Sequence, residues 1–293
     1  MASNAWSLDP DDPRSPSQEQ WDAMGESERR RVLAHLPSEF PVSESAPPEG
    51  DLHFDAKITA KNALDGHFQR LGRRVYLACE LPVYYPSEPM FAPDVFAVLD
   101  VERRSREHWT VLHEGKGLDF AMEILVAGRR HKDLTRNVER YARLGITEYF
   151  VFDRRNLRLS GFRLPSSKAR VYQPILPQLG RYASQVLGLD LRLEDTRLRF
   201  LHGNAPVPDA QELIQTLEGM LVQVQENRQA AEQRAEEETR RREEETRRRE
   251  EETRRREEET RRREEETRRR EELEVELARV RAELEALRGQ GKP

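Results

Sequence analysis

Residues 118–126 read LDFAMEILV, and residues 131–153 read HKDLTRNVERYARLGITEYFVFD. The first stretch is an apolar run of strand length with one carboxylate, Glu123, inside it. In the second, Leu134, Val138, Tyr141 and Leu144 fall on one helical face, and Gly145 follows as a C-terminal stop. Tyr149–Asp153 returns to an aromatic and β-branched run. Strand, helix and strand in this order predict a sheet with a helix on its face.

Working outward, Phe54, Ile58, Ala60, Leu64, Phe68 and Leu71 predict a helix at about 53–71. Strands are expected at Val75–Tyr85, Pro93–Val101 and Trp109–His113, separated by Pro and Gly. Downstream, Asp153–Asn156 reads as a turn and Leu157–Leu164 as a strand. The segment Val171–Leu201 reads as further strand and loop packed on the same sheet. The fold class is therefore α/β (α+β), with helices on the faces of a central sheet.

Three regions follow. Residues 1–39 form a flexible leader, rich in Asp, Pro and Ser up to about residue 17, with a short helix at Ser17–Leu36 opened by a Ser17/Gln20 capping box. Residues 40–205 form the globular domain, and 206–293 a charged helical arm with a short disordered end. Five copies of EEETRRR fill Glu236–Arg270, each Glu having an Arg four positions on. No residue of that stretch is apolar. Leu273, Leu277, Val280, Leu284 and Leu287 alternate spacings of four and three, and the same heptad frame carries Ile214, Leu217, Leu221 and Val224. A helix from Ala210 to Leu287 would span roughly 117 Å at about 1.5 Å per residue. Its apolar ends suit homo-oligomer formation through a coiled coil, whereas its centre reads as either a solvated single helix or a weak coiled coil.

Composition narrows the function classes. Of 50 basic and 55 acidic residues, 21 and 25 follow Asp209, which leaves 29 and 30 for the rest. That near-neutral body does not advertise non-specific nucleic-acid binding, so such an activity needs a local patch. A single cysteine, Cys79, excludes an intrachain disulfide. No stretch approaches the ~20 apolar residues of a membrane span, and no secretory leader is visible. The expectation is a soluble cytoplasmic protein that does not enter membranes.

Hydrolysing a phosphodiester with a metal needs carboxylates converging on a divalent ion and a cation for water or transition-state charge. Pro93-Asp94-Val95 opens one apolar strand, and Glu123 lies within another, 29 residues on. A carboxylate amid an apolar strand is the more telling, because Glu is seldom buried without a partner or metal. Two plainer readings stand beside this: Asp94 as a strand-start turn residue, and Glu123 as the partner of an Arg from the run Arg129-Arg130-His131-Lys132. His53, His67, His108, His113 and His131 show no metal-ligand spacing, and no role is assigned to them.

The motif PDV on a strand, an acidic residue in a second apolar strand, and then a helix running into Tyr141-Ala142-Arg143-Leu144-Gly145-Ile146-Thr147-Glu148-Tyr149-Phe150-Val151-Phe152-Asp153 resembles a known family. It is the "putative restriction endonuclease" family of the PD-(D/E)xK nuclease superfamily, and the resemblance covers about residues 50–203. It implies a restriction-endonuclease-like sheet and a DNA-cleaving hydrolase, with Mg²⁺ (or Mn²⁺) held by Asp94 and Glu123. The superfamily's usual lysine position, two past the second carboxylate, is Leu125 here. In this family the lysine commonly lies four residues after a helical aspartate. Asp133 matches that aspartate, but the lysine position is Asn137. Lys132 and Lys116 are the substitutes offered. The resemblance thus leaves two functions open: an endonuclease, or an inactive nuclease-fold scaffold that self-associates through its arm.

Overall fold

A computed structural model describes residues 6–39, 50–126 and 132–289; side chains at 132–134 and 285–289 lie outside that description. It divides into two units, residues 1–216 and 217–293. In the first, α1 (Gln18–Ala23) is opened by the Ser17/Gln20 capping box. Met24 ends it, and α2 (Glu26–His35) follows from Gly25, so the single helix expected at 17–36 is two. The leader also differs from its expectation. Arg14 and Ser15 bridge to Pro89 and Pro86, and the buried Ser15 hydroxyl donates to the Tyr85 carbonyl. Trp6 and Leu8 pack against the cluster around Trp21 and Tyr84, and backbone and hydroxyl contacts, of which the segment's composition gave no sign, complete the hold.

The long α3 (Asp51–Arg70) buries Ala60, Ala63, Leu64 and Phe68. Then come β1 (Val75–Ala78), β2 (Val83–Tyr84), β3 (Val95–Leu99), β4 (Trp109–Thr110), α4 (Val111–Glu114) and β5 (Phe120–Leu125). A π-helical stretch at Lys132–Asn137 runs into α5 (Val138–Leu144), and α5 ends at Gly145, whose φ of 79° no β-carbon opposes. The strands β6 (Glu148–Asp153), β7 (Arg158–Arg163) and β8 (Gln173–Pro174) follow.

Six strands form one sheet in the order β1-β3-β5-β6-β7-β8, in which β5 and β6 are parallel and the other neighbours antiparallel. β2 and β4 pair separately. β9 (Arg181–Ser184), β10 (Leu189–Glu194), β11 (Arg197–His202) and β12 (Ala205–Pro206) make a second, four-stranded antiparallel sheet. Only β8 of the 171–201 segment joins the first sheet, which corrects the expectation of a single sheet. Alternation marks a strand's buried face but does not say which sheet the strand joins.

Alternation along β3, β5 and β6 splits the core in two. Val95, Ala97, Met122, Ile124, Phe150 and Phe152 meet α3 on one face, together with Leu189, Leu191 and Phe200 of the second sheet. Phe96, Val98, Ala121, Tyr149 and Val151 meet Tyr141 and Ala142 of α5 on the other. The sheet is therefore covered on both faces, which is why its strands read as continuous apolar runs.

The arm belongs to α6 (Ala210–Gly289). Within it, Arg242–Glu238, Arg249–Glu245, Arg256–Glu252 and Arg263–Glu259 pair at 2.6–2.8 Å across one helical turn. Each repeat's threonine returns its hydroxyl to the carbonyl four residues back, as Thr246 does to Arg242 at 2.9 Å. Leu221, Val224, Leu273, Leu277, Val280 and Leu284 are all at least half exposed; Leu287 lies outside the described side chains. Among the described residues, no helix is long and apolar enough to cross a membrane.

Candidate functional site

The register of the six-stranded sheet brings Asp94 and Glu123 side by side. Val95 faces Met122 across β3 and β5, so Asp94 and Glu123, one step further, stand opposite each other at the start of β3. The Asp94 amide donates to Glu123 Oε2 at 3.4 Å, and the Ile124 amide donates to Asp94 Oδ2 at 2.5 Å. On the other flank, Glu80 lies just past β1 and its amide donates to the Pro93 carbonyl at 3.0 Å. Glu80, Asp94 and Glu123 therefore form a row across three neighbouring chain segments at one end of the sheet.

Each face of the sheet contributes to that row. From the α5 face, the Tyr141 hydroxyl donates to Glu123 Oε1 at 2.8 Å, and Asn137 Nδ2 donates to the same oxygen at 3.4 Å. Burial, and then the charge of Glu123, hold the Tyr141 phenol far above its ordinary pKa, so it stays a donor. From the α3 face, His53 Nε2 lies 3.1 Å from Asp94 Oδ2. One turn later Lys57, 2% exposed, pairs its ammonium with Glu80 Oε1. Burial pushes the nearby Cys79 thiol up to about 11, with Lys61, Lys57, Glu80 and Asp94 as smaller influences. Such a thiol is protonated at neutral pH and is no nucleophile.

The sequence-predicted residues fare differently. Asp94, Glu123 and Asn137 meet in this cluster. Lys116 does not: its ammonium donates to the Leu99 carbonyl at 2.6 Å and pairs with Asp119 at 2.9 Å. That is the far end of β3, and four residues of β5 put it ~13 Å from Glu123. The side chains of Lys132 and Asp133, and the run Arg129–His131, lie outside the described residues.

Three residues of the cluster were missed: His53, Lys57 and Glu80. His53 and Lys57 are spaced to share a helix face, and that spacing was the available signal. His53, Glu80 and Asp94 each offer a ligand atom, all within 4.8 Å of one another. Atoms on opposite sides of one ion lie ~4.0–4.2 Å apart around Mg²⁺ and up to ~5 Å around Ca²⁺. The donor set thus has the chemistry and the span of a divalent-cation site.

Residues 42–196, just over half of the chain, match the family model Uma2, described as putative restriction endonuclease. The chain belongs to the Uma2 family. The family match includes Asp94, Glu123 and Asn137 together with the newly found His53, Lys57 and Glu80. Among solved structures, the chain is similar to a putative nuclease belonging to DUF820 from Anabaena variabilis. The two are 13% identical with a TM-score of 0.36, over 55% of this chain and 88% of that one. No curated protein matches this Uma2 member.

Proposed function

We propose that this chain is a metal-dependent endonuclease that hydrolyses DNA phosphodiester bonds. The observation that carries the reading is the row of Glu80, Asp94 and Glu123 at one end of the sheet, with the buried Lys57 ammonium on Glu80. Membership of the Uma2 family supports it. Mg²⁺ or Mn²⁺ held by Asp94 with Glu80 or Glu123 would supply Lewis-acid polarisation of a phosphoryl oxygen and a water of lowered pKa. Tyr141 and Asn137 hold the Glu123 carboxylate in one orientation. Lys57 brings a cation from α3, where the family motif would place one at Asn137. The apolar seams of α6, at Ile214–Val224 and Leu273–Leu284, suit pairing with a second copy of the chain.

A second reading has its own observation. At the motif's lysine position Asn137 donates to Glu123 but carries no charge to stabilise a developing phosphorane. This favours a nuclease-fold scaffold without activity. Supercoiled plasmid incubated with the full chain and MgCl₂ or MnCl₂ decides between the two. Nicking or linearisation is expected, and Asp94→Asn should lower it at least ~100-fold, beyond the usual cost of losing an outer-shell partner. No cleavage with either ion would leave the scaffold.

A further inference from the structure

We propose that His53, Glu80 and Asp94 form a mixed nitrogen–oxygen site that takes a transition-metal ion of the Mn²⁺ or Co²⁺ kind in preference to Mg²⁺. The inference rests on the metal-dependent reading of the same cluster and goes beyond it by naming the ligands and the selectivity. Their ligand atoms lie within 4.8 Å of one another, and they come from three separate places: the first turn of α3, the turn after β1 and the start of β3.

Two of the three are held from behind. Asp94 keeps Oδ2 on the Ile124 amide, and Glu80 keeps Oε1 on Lys57. A carboxylate has two oxygens and about four lone-pair directions, so each can hold that partner and still bind an ion. The backbone of Glu80 is fixed as well. Its φ is 51°, a left-handed conformation that is strained for a non-glycine residue, and its amide is tied to Pro93. A glutamate, rather than Gly or Asn, occupies this turn and presents its carboxylate to His53 and Asp94. A plain turn does not require that side chain.

The nitrogen ligand sets the selectivity. Oxygen-only sets suit Mg²⁺ and Ca²⁺, whereas imidazole moves preference toward first-row transition ions, in the order Mn²⁺ below Co²⁺ below Ni²⁺. His53 Nε2 already faces Asp94 Oδ2 at 3.1 Å. Ligation needs the Nε2 lone pair, so the loaded form places the ring proton on Nδ1. Asp94 and His53 then share the ion instead of a proton.

The test is calorimetric titration of the full chain with MnCl₂, CoCl₂ and MgCl₂, repeated on His53→Ala, His53→Gln and Asp94→Asn. Thermal melting without metal confirms that each variant is folded. Wild type should bind Co²⁺ and Mn²⁺ more tightly than Mg²⁺. Both His53 variants should lose at least ~10-fold for Co²⁺ and Mn²⁺ while Mg²⁺ changes little. Unchanged Co²⁺ and Mn²⁺ affinity in folded His53 variants, with binding lost in Asp94→Asn, would overturn this inference and leave the metal-dependent reading standing. Absence of binding of every ion to wild type would overturn both.

Discussion

The globular unit and the arm both join glutamates to cations, in opposite surroundings. In the globular unit, Glu148 of β6 is fully buried and accepts from Arg163 Nε at 2.6 Å, the Gln185 amide at 2.8 Å and the Ser184 hydroxyl. In the arm, Arg242 and Glu238 meet at 2.6 Å with side chains 78% and 63% exposed. The separations are alike and the energies are not. Water screens the arm's pairs, each worth about 0.2–0.5 kcal/mol. A buried carboxylate has given up its hydration, so removing a partner is expensive. The globular unit therefore depends on a few carboxylates individually, and the arm on many pairs collectively.

The largest effect expected from this difference is at Glu148, which ties β6 and β7 to the end of β9 and so joins the two sheets. Glu148→Ala leaves the Arg163 guanidinium facing no carboxylate there and should cost about 3–5 kcal/mol. The three tryptophans, Trp6, Trp21 and Trp109, all lie in residues 1–216, so their fluorescence during urea unfolding follows that unit alone. Far-UV circular dichroism adds the helices of the arm to those of that unit, so a transition seen by dichroism and not by fluorescence belongs to the arm. A fluorescence midpoint unchanged by the substitution would break the contrast between the two regions.

A smaller effect is expected where α6 begins. Asp209 accepts from the Glu212 amide at 2.8 Å and its own amide donates back to Glu212 at 3.2 Å, a reciprocal cap. Arg199 completes the cluster on the Glu212 carboxylate. The hydrogen bond from Arg199 holds that carboxyl below the ordinary 4.5, against the opposing effect of burial. A depressed folded pKa means that the stabilisation is present above pH 4.5 and is lost as pH falls through the lowered value. Asp209→Ala should cost about 1 kcal/mol, and Arg199→Ala should remove the acid-dependent part of the loss. An acid transition identical in wild type and Arg199→Ala would show that this cluster does not contribute.

What the sequence disclosed follows from the same physics. Glu123 stood out because one charge in an apolar run is anomalous wherever the run folds, and the repeats read as helix because their pairing is local. Gly145 marked the end of α5 because the left-handed cap is a local requirement as well. His53 and Lys57 gave only the weak sign of sharing a face of α3, and Glu80 none: it lies in a separate segment and meets them only after α3 packs on the sheet. Lys116 attracted attention by its proximity to Glu123 in the chain, yet β5 carries it to the opposite end of the strand. The second sheet was missed because strand periodicity marks a buried face without naming its neighbour.

The smallest effect per contact, and the sharpest test of the contrast, lies in the repeats. Each Glu-to-Arg pair adds only ~0.2–0.5 kcal/mol to a helix, but several occur in every seven residues and no apolar seam needs covering. A peptide spanning residues 236–270 should therefore be helical at any concentration, and its ellipticity at 222 nm should fall modestly between low and high salt as screening weakens the pairs. Apolar end segments respond in the opposite sense, because salt does not weaken their burial. Sedimentation of the full chain should accordingly show concentration-dependent association that survives high salt, and Leu277→Glu with Leu221→Glu should abolish it. A random-coil spectrum from the repeat peptide would mean that local pairing does not suffice and that the arm needs a partner along its whole length. Association lost in salt but retained in the leucine variants would place the contact in the charged repeats instead of the seams.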